Sequence, residues 1–265
     1  MSHFGNLSGD CLRIRKESPI IHNITNYVAM GISANGLLAI GASPLMSSEP
    51  EEMEEISAIS SALVINLGCL ERIQIEAMHI AAGAASKSGK PWVLDPVGAG
   101  VSRLRTGTAL DLIRTCAPSV IRGNASEIMA LAGTPFRQKG VDSAEESLAA
   151  VESAAALALE HDTVVSVSGP VDIITDGKET IRILNGDPIM PQVTAMGCTA
   201  SALTAAFLAV DDNALEAAAY AMALMGVAGE KAAAKSSGPA SFAVNFIDIL
   251  AGISPEEISE LLRYE

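Results

Sequence analysis

The chain has 265 residues, enough for one large α/β domain or two small ones with a buried core. Hydrophobic residues make up 49% of the sequence and aromatic residues only 3%, so the core must be aliphatic and rich in alanine. Lysine and arginine together number 17, against 31 aspartate and glutamate residues, which gives a net charge of −14. This excess of negative charge argues against binding to nucleic acid and to anionic membranes.

The spacing of the cysteines and the composition of two segments restrict the kinds of protein that this sequence can encode. The four cysteines are widely spaced: Cys11, Cys69, Cys116 and Cys198. Without a C-x-x-C pair, both a zinc site and a disulfide framework are disfavoured. Residues 1–16 are polar and lack the apolar run of a signal peptide. The alanine-rich stretch 214–234 carries charged residues, which indicates a buried helix rather than a membrane span. We expect a soluble, cytoplasmic protein.

Short apolar runs alternate with longer helical patterns, which is typical of βα units on a largely parallel sheet. The predicted strands are 20–23, 44–46, 63–66, 92–94, 120–122 and 164–167, and the predicted helices lie near 27–40, 51–61, 71–88, 104–116, 125–132 and 143–160. Alternating residues on both sides of Asp176-Gly177 predict a tight hairpin, followed by three helices. Since no linker rich in proline, glycine or serine divides the chain, we expect a single domain over residues 1–265.

Five polar residues, one methionine and one glycine lie at the carboxyl ends of the predicted strands, where open α/β sheets bind ligands. They are Asn23, Met46, Gly68, Asp95, Arg122, Ser168 and Thr194. This coincidence predicts one composite site at that edge of the sheet.

The segment 193–203, VTAMGCTASAL, is the most informative part of the sequence. It places Gly197 in a short loop before a helix predicted over 200–210. Free N–H groups and the positive end of the helix dipole suit a phosphate there. Cys198 lies at the entrance of this loop, where a helix N-terminus lowers a thiol pKa. We therefore predict an orienting or weakly basic role for Cys198 in phosphoryl transfer; a small buried hydrophobe is the alternative.

Two upstream motifs also follow predicted strands. In Asp95-Pro-Val-Gly-Ala-Gly100 a carboxylate precedes a glycine loop, so Asp95 either holds Mg²⁺ near phosphates or caps a turn. In Arg122-Gly-Asn-Ala-Ser-Glu127, Asn124 and Glu127 have the spacing of a capping box. Glu127 could also organise Mg²⁺-bound water, and Arg122 could pair with phosphate oxygens. His22 is interpreted as a buried, hydrogen-bonded histidine, since no serine or cysteine partner is evident nearby.

Taken in order, five segments resemble the hydroxyethylthiazole kinase family. They are IHNITNYV at 21–28, ANGLLAIGASPLM at 34–46, DPVGAG at 95–100, RGNASE at 122–127 and Gly197-Cys198. The match extends from about residue 10 to 250. The first segment is specific to this family, while the others are shared with ribokinase-like enzymes.

The resemblance implies a three-layer α/β/α ribokinase-like fold with a mostly parallel central sheet. It implies transfer of the ATP γ-phosphate to the hydroxyl group of 4-methyl-5-(2-hydroxyethyl)thiazole in thiamine biosynthesis, with Mg²⁺. It further implies a homotrimer with thiazole pockets at subunit interfaces. Carried over by motif, the site residues are Met46, Asn23 and Ala195 for the thiazole, Arg122 and Ser168 for ATP, Asp95 and Glu127 for the metal, and Gly197 and Cys198 for the reacting groups.

The sequence departs from the family pattern at two positions. The family loop usually reads Gly-x-Gly-Cys, but this chain has Ala195 in the first glycine position. If the loop needs a positive φ there, alanine should leave it strained or rebuilt. Ser168 stands in place of an expected threonine and keeps the hydroxyl. The alternatives are a hydroxymethylpyrimidine kinase, a nicotinamide-hydrate dehydratase on the same fold, and a non-catalytic protein that binds thiazole or nucleotide.

Overall fold

A computed structural model describes residues 3–134 and 143–265 of the protein. An eight-stranded sheet forms its centre. The strands are β1 (Ile20–Ile24), β2 (Ser43–Met46), β3 (Ala62–Asn66), β4 (Trp92–Asp95), β5 (Val120–Asn124), β6 (Val164–Ser168), β7 (Asp172–Thr175) and β8 (Thr180–Ile183). Their order across the sheet is β2-β1-β3-β4-β5-β6-β7-β8. The first six run parallel, while β7 and β8 form an antiparallel hairpin.

The described residues form eleven α-helices. They are α1 (Leu7–Glu17), α2 (Met30–Ile40), α3 (Met53–Ile59), α4 (Arg72–Lys87), α5 (Arg103–Cys116), α6 (Ala125–Leu131), α7 (Ser143–His161), α8 (Met196–Leu208), α9 (Ala214–Ala234), α10 (Pro239–Gly252) and α11 (Pro255–Leu261). None of these helices combines the length and the apolar character needed to cross a bilayer.

Successive side chains along the parallel strands point to opposite faces of the sheet, and this divides the core into two layers. Side chains such as Val64 and Val93 pack with α1, α2 and α8 to α11 on one face of the sheet. The intervening side chains, such as Ile65 and Leu94, pack with α3 to α7 on the other face. Because a parallel sheet is covered on both faces, its strands are mostly apolar, and their polar residues gather toward the carboxyl ends. The prediction of a three-layer α/β/α fold with a mostly parallel sheet is confirmed.

Helix α8 is the central element of the first layer. Eleven of its residues are buried, and it packs against α2, α9, β3 and β4. Small side chains permit this close packing: a Cβ added to Gly36 of α2 would lie 2.9 Å from the Thr199 Cγ2 atom. The start of α8 is therefore fixed against the carboxyl ends of the central strands.

The predicted elements agree with the structure within one or two residues at most ends. The hairpin around Asp176-Gly177 is confirmed. The helix predicted near 27–40 begins only at Met30, and the one predicted near 51–61 opens with a 3₁₀ turn over Pro50–Glu52. The prediction for α8 was wrong at its start, since the helix begins at Met196 rather than Ala200. Four helices, not three, follow the hairpin.

Candidate functional site

A hydrogen-bonded network joins the carboxyl ends of the central strands to the start of α8. The Asn66 amide donates to Asp95 Oδ2 over 2.6 Å and to the Cys198 sulfur over 3.2 Å. The Asn26 amide donates to Asn66 Oδ1 over 2.9 Å and to the same sulfur over 3.5 Å. The Ser201 hydroxyl, one turn into α8, donates to Asp95 Oδ2 over 2.8 Å. These contacts fix Asp95 and Cys198 beside each other.

Asp95 is a buried carboxylate at the end of β4. Burial raises its pKa to about 6, and the nearby charge of Glu127 adds to the increase. The charge of Arg122 and the hydrogen bonds from Ser201 and Asn66 lower it. The turn after β4 is closed by the Asp95 backbone, whose carbonyl accepts from the Val97 N–H, so the side chain is not the turn cap.

Arg122 is a buried cation that keeps its hydrogen-bonding capacity. Its side chain is only 6% exposed, and its Nε has no partner among the described residues. The guanidinium packs against Gly197, where an added Cβ would lie 2.7 Å from Nη1. Any side chain at position 197 would therefore displace the arginine. A buried positive charge without an ion pair is costly, and an anion would stabilise it.

The start of α8 brings further positive potential to the same place. Ala195 is its N-cap residue and lies in the left-handed region, with φ 65° and ψ 12°. Gly197 and Cys198 are the second and third residues of the helix, not part of a preceding loop. The first N–H groups of a helix lack intrahelical partners and suit an anion. This helix end and Arg122 thus face the same space.

The expected lowering of the Cys198 pKa is wrong. Burial raises the pKa of the thiol to about 11, and the negative charge of Asp95 raises it further. The two amide hydrogen bonds and Arg122 lower it, but they are outweighed. Cys198 is therefore a neutral thiol near pH 7. It can orient a neighbouring hydroxyl group, but it is not a thiolate base.

Glu127 connects α6 with the glycine loop after β4. One carboxylate oxygen accepts the Asn124 N–H over 2.9 Å, and the Asn124 side chain accepts the Glu127 N–H over 3.0 Å. The capping box is confirmed. The other carboxylate oxygen accepts the Gly98 N–H over 2.9 Å. Glu127 thereby holds the loop that follows Asp95 close to the helix that follows Arg122.

Met46 and Asn23 form a second group at the edge of the sheet, where they are register partners on β2 and β1. The Asn23 amide donates to the Ile21 carbonyl over 2.8 Å, while its Oδ1 is buried without a partner among the described residues. Next to it, His22 is buried and lies 3.1 Å from the Ser47 carbonyl oxygen. Burial lowers the pKa of this histidine, so the interpretation of His22 as a buried, hydrogen-bonded residue is confirmed.

Ser168 ends β6 on the other side of Arg122. It is the register partner of Asn124 on β5, and its hydroxyl donates to the Gly123 carbonyl over 3.5 Å. Arg122 and Ser168, which the family resemblance assigns to ATP, thus lie on the neighbouring strands β5 and β6. Within residues 3–134 and 143–265, no side-chain hydrogen bond joins Met46 or Asn23 to the Cys198 network.

Three members of the network carried no role in the sequence-based prediction: Asn26, Asn66 and Ser201. Asn66 ends a predicted strand, which is the signal that identified Asp95. Ser201 follows Cys198 by three residues on a helix, a spacing that places both on one face. Asn26 lies within the first family-specific segment, so its position could have been found too.

The carboxylates suit one magnesium ion more than a closed protein cage. Asp95 and Glu127 lie close enough for their charges to interact, and Asp95 Oδ1 accepts no hydrogen bond in the described part of the chain. Across that part, three or more His, Cys, Asp or Glu residues do not gather in a metal-binding group. Mg²⁺ is commonly held by one or two carboxylates, water and phosphates, so this donor set fits it.

The fold defines the class of protein first. A ribokinase-like superfamily protein from Enterococcus faecalis V583 matches with a TM-score of 0.66 at 15% identity, over 90% of this chain and 87% of the other. The chain therefore has the ribokinase-like fold.

Closer relatives identify the family. The model of the hydroxyethylthiazole kinase family matches residues 12–256, and the chain belongs to that family. It is 56% identical to a hydroxyethylthiazole kinase from Brachyspira hyodysenteriae over 237 residues, which cover 89% of each chain. The structure of a hydroxyethylthiazole kinase protein from Pyrococcus horikoshii OT3 matches with a TM-score of 0.90 and 37% identity, over 98% of each chain.

Proposed function

We propose that the protein transfers the γ-phosphoryl group of ATP to the hydroxyl group of 4-methyl-5-(2-hydroxyethyl)thiazole, a step of thiamine biosynthesis or salvage. The observation that carries the proposal is the buried Arg122, which packs against Gly197 at the start of α8 and forms no ion pair with the described residues. In a member of this kinase family, that pocket of positive potential is suited to the phosphates of ATP.

The thiazole alcohol is assigned to the edge of the sheet and the start of α8. Met46 offers a polarizable side chain to a flat sulfur heterocycle. Asn23 offers a buried oxygen that accepts no hydrogen bond from the residues described by the structure. Ala195, the N-cap residue of α8, contacts the thiazole next to the reacting end.

Phosphoryl transfer asks mainly for positioning and charge stabilisation. The alcohol oxygen forms a bond to the γ-phosphorus as the bond from that phosphorus to the bridging oxygen of ADP breaks. Arg122 and the N–H groups of Gly197 and Cys198 stabilise the charge on the transferred group. Ser168 contacts ATP, and the neutral Cys198 thiol orients the alcohol. The alcohol proton leaves late in a loose transition state and passes to solvent, so the step requires no strong base.

Asp95 and Glu127 would hold Mg²⁺ here. When bound, the ion neutralises negative charge on the phosphates. Asp95 presents its Oδ1, which accepts no hydrogen bond from the described residues, and Glu127 positions the Gly98 loop beside it.

We also propose a cytoplasmic homotrimer in which a second copy completes each thiazole pocket. Support comes from the sheet edge: β2, which carries Met46, is only partly buried. Beyond β1, Tyr27 and Val28 are 60% and 59% exposed, an apolar surface suited to an interface. The four free thiols suit a reducing compartment, and the net charge of −14 suits neither nucleic acid nor membranes as partners.

Release of ADP from ATP and Mg²⁺ tests the activity, with the hydroxyethylthiazole as acceptor and the hydroxymethylpyrimidine as control. We expect release with the thiazole only, together with formation of the thiazole phosphate by mass spectrometry. Release of ADP with the hydroxymethylpyrimidine instead would identify the protein as a hydroxymethylpyrimidine kinase. Binding of ATP without turnover of either acceptor would favour the dehydratase or the non-catalytic protein.

A further inference from the structure

Asp172 is a buried carboxylate outside the roles assigned so far. It is the first residue of β7, directly after the turn that follows Ser168 at the end of β6. Only 8% of it is exposed. Its Oδ1 accepts the Gly169 N–H over 3.0 Å. The side chain therefore closes the turn that carries the serine proposed to contact ATP.

The charge of Asp172 is coupled to Arg122. Burial raises the pKa of Asp172 to about 6, while the hydrogen bond from Gly169 and the charge of Arg122 lower it. Asp172 does not approach Arg122 within the 4 Å of an ion pair in the described part of the chain. Arg122 thus lies in the field of two carboxylates, Asp95 and Asp172, and its donors remain available.

We propose that Asp172 is a positioning residue that limits the affinity of the site for nucleotide polyphosphates. It holds the Ser168–Gly169 turn, and its negative charge offsets part of the attraction that Arg122 exerts on phosphate. The inference rests on the proposed function, because it takes Arg122 as the phosphate-binding residue.

Two physical arguments support this role. A carboxylate near a phosphate site repels the ligand, and this repulsion is weakly screened where water is excluded. An anion site with only Arg122 and a helix N-terminus would also bind the product ADP tightly. Asp172 weakens the binding of ADP and so favours its release, while Arg122 keeps its position and its free donors.

The test is the Asp172→Asn variant, whose amide oxygen can still accept the Gly169 N–H. Asp176→Asn is the matched control: it lies at the other end of the same hairpin, and its carboxylate also accepts backbone N–H groups, from Lys178 and Glu179. Calorimetry measures the dissociation constants of AMP, ADP and ATP for both variants and for the unaltered protein. Thermal unfolding is measured in parallel.

We expect Asp172→Asn to bind ATP about three- to tenfold more tightly, with a smaller gain for ADP and the smallest for AMP. A role in the turn alone would change the unfolding temperature without this dependence on ligand charge. Asp176→Asn should change each dissociation constant by less than about twofold. If Asp172→Asn does not fold, Asp172→Ser, which also removes the charge and keeps an oxygen acceptor, replaces it.

Equal affinities of Asp172→Asn and the unaltered protein for ATP would overturn the inference. If the unaltered protein still phosphorylates the thiazole, the proposed function stands in that case. Failure of the unaltered protein to bind any of the three nucleotides would overturn both proposals together.

Discussion

Ala195 is one of five non-glycine residues with a positive φ in the described part of the chain, and the one that lies at the candidate site. Its φ of 65° lies in the left-handed region, where an L-residue with a Cβ is disfavoured by about 1–2 kcal/mol. The sequence raised the question of whether alanine would be strained here or the loop rebuilt. The structure keeps the left-handed conformation, so the strain is retained at the start of α8, next to Gly197.

Ala195→Gly should therefore keep or raise both stability and kcat. Glycine removes the steric cost but gains conformational freedom in the unfolded chain, so we expect a net gain of about 0–1 kcal/mol in the free energy of unfolding. Urea unfolding and steady-state kinetics with the thiazole measure the two effects.

Ala209→Gly is the control for this change. Ala209 lies at the other end of α8 with a φ of −68°, where alanine is unstrained. Glycine there should destabilise the protein by about 0.5–1 kcal/mol. A similar loss of stability in Ala195→Gly would show that the left-handed alanine costs the fold nothing.

Among the elements, the start of α6 is the one that couples the two candidate metal-binding segments. Both Glu127 oxygens accept backbone N–H groups, one from Asn124 and one from Gly98. The capping role and the role in the site therefore coexist in one carboxylate. Helix α11, away from the site, begins with the same kind of capping box, formed by Ser254 and Glu257. Glu257 also contacts Lys231 over 2.6 Å.

Glu127→Gln should lower stability and weaken the response of the rate to Mg²⁺. A glutamine places an NH₂ group against one of the two N–H donors, which leaves that donor unpaired and frees the Gly98 loop or the helix start. We expect a loss of about 1–3 kcal/mol in unfolding free energy and a higher Mg²⁺ concentration for half-maximal rate.

Glu257→Gln supplies the comparison, because it disturbs a capping box of the same type. It should lower stability but leave the Mg²⁺ titration unchanged. An unchanged titration in Glu127→Gln as well would restrict Glu127 to a capping role.

At the scale of the whole molecule, a buried carboxyl group links α1 to the connection between α8 and α9. Asp10 is fully buried, and the Asn6 amide donates to its Oδ1 over 2.9 Å. Burial raises the pKa of Asp10 to about 7. The charges of Asp211 and Glu216 raise it further, while Arg13 on the same helix lowers it. The folded protein therefore holds a proton that the unfolded chain, with an ordinary pKa of 3.8, loses.

Asp10 should make stability fall as the pH rises. The contribution is fully present below about pH 4 and is lost as the pH rises to about 7, because only the folded state keeps the proton in that window. Asp10→Asn should flatten this part of the profile and raise the unfolding temperature at pH 8. Calorimetric scans from pH 4 to pH 8 measure it.

Asp248→Asn provides the reference, since Asp248 lies on α10 with an exposed side chain that makes no ion pair among the described residues. Its profile should follow that of the unaltered protein. If the pH profile of Asp10→Asn also matched that of the unaltered protein, Asp10 would not be the group that holds the proton.

The sequence predicted the sheet well because period-two and apolar runs reflect burial, which local residues determine. It failed at the start of α8, where Gly197 suggested a loop although tertiary packing against β4 extends the helix. The pKa of Cys198 could not be predicted either, since it depends on burial and on Asp95, a residue distant in sequence. Asp95, Arg122 and Glu127 were predicted as site residues because they lie at, or within a few residues of, the end of a predicted strand, and Ser201 received no role because it lies inside a helix.

Every hydrogen-bonding group of the Asn66 side chain is occupied, and this determines when the side chains of the site become ordered. Its two amide hydrogens go to Asp95 and Cys198, and its oxygen accepts from the Asn26 amide and the Gly68 N–H. An asparagine side chain has no further donors, and these two bonds occupy its oxygen lone pairs. The network is thus complete before any ligand arrives. Immobilising these side chains costs entropy, and folding meets that cost once rather than at every turnover.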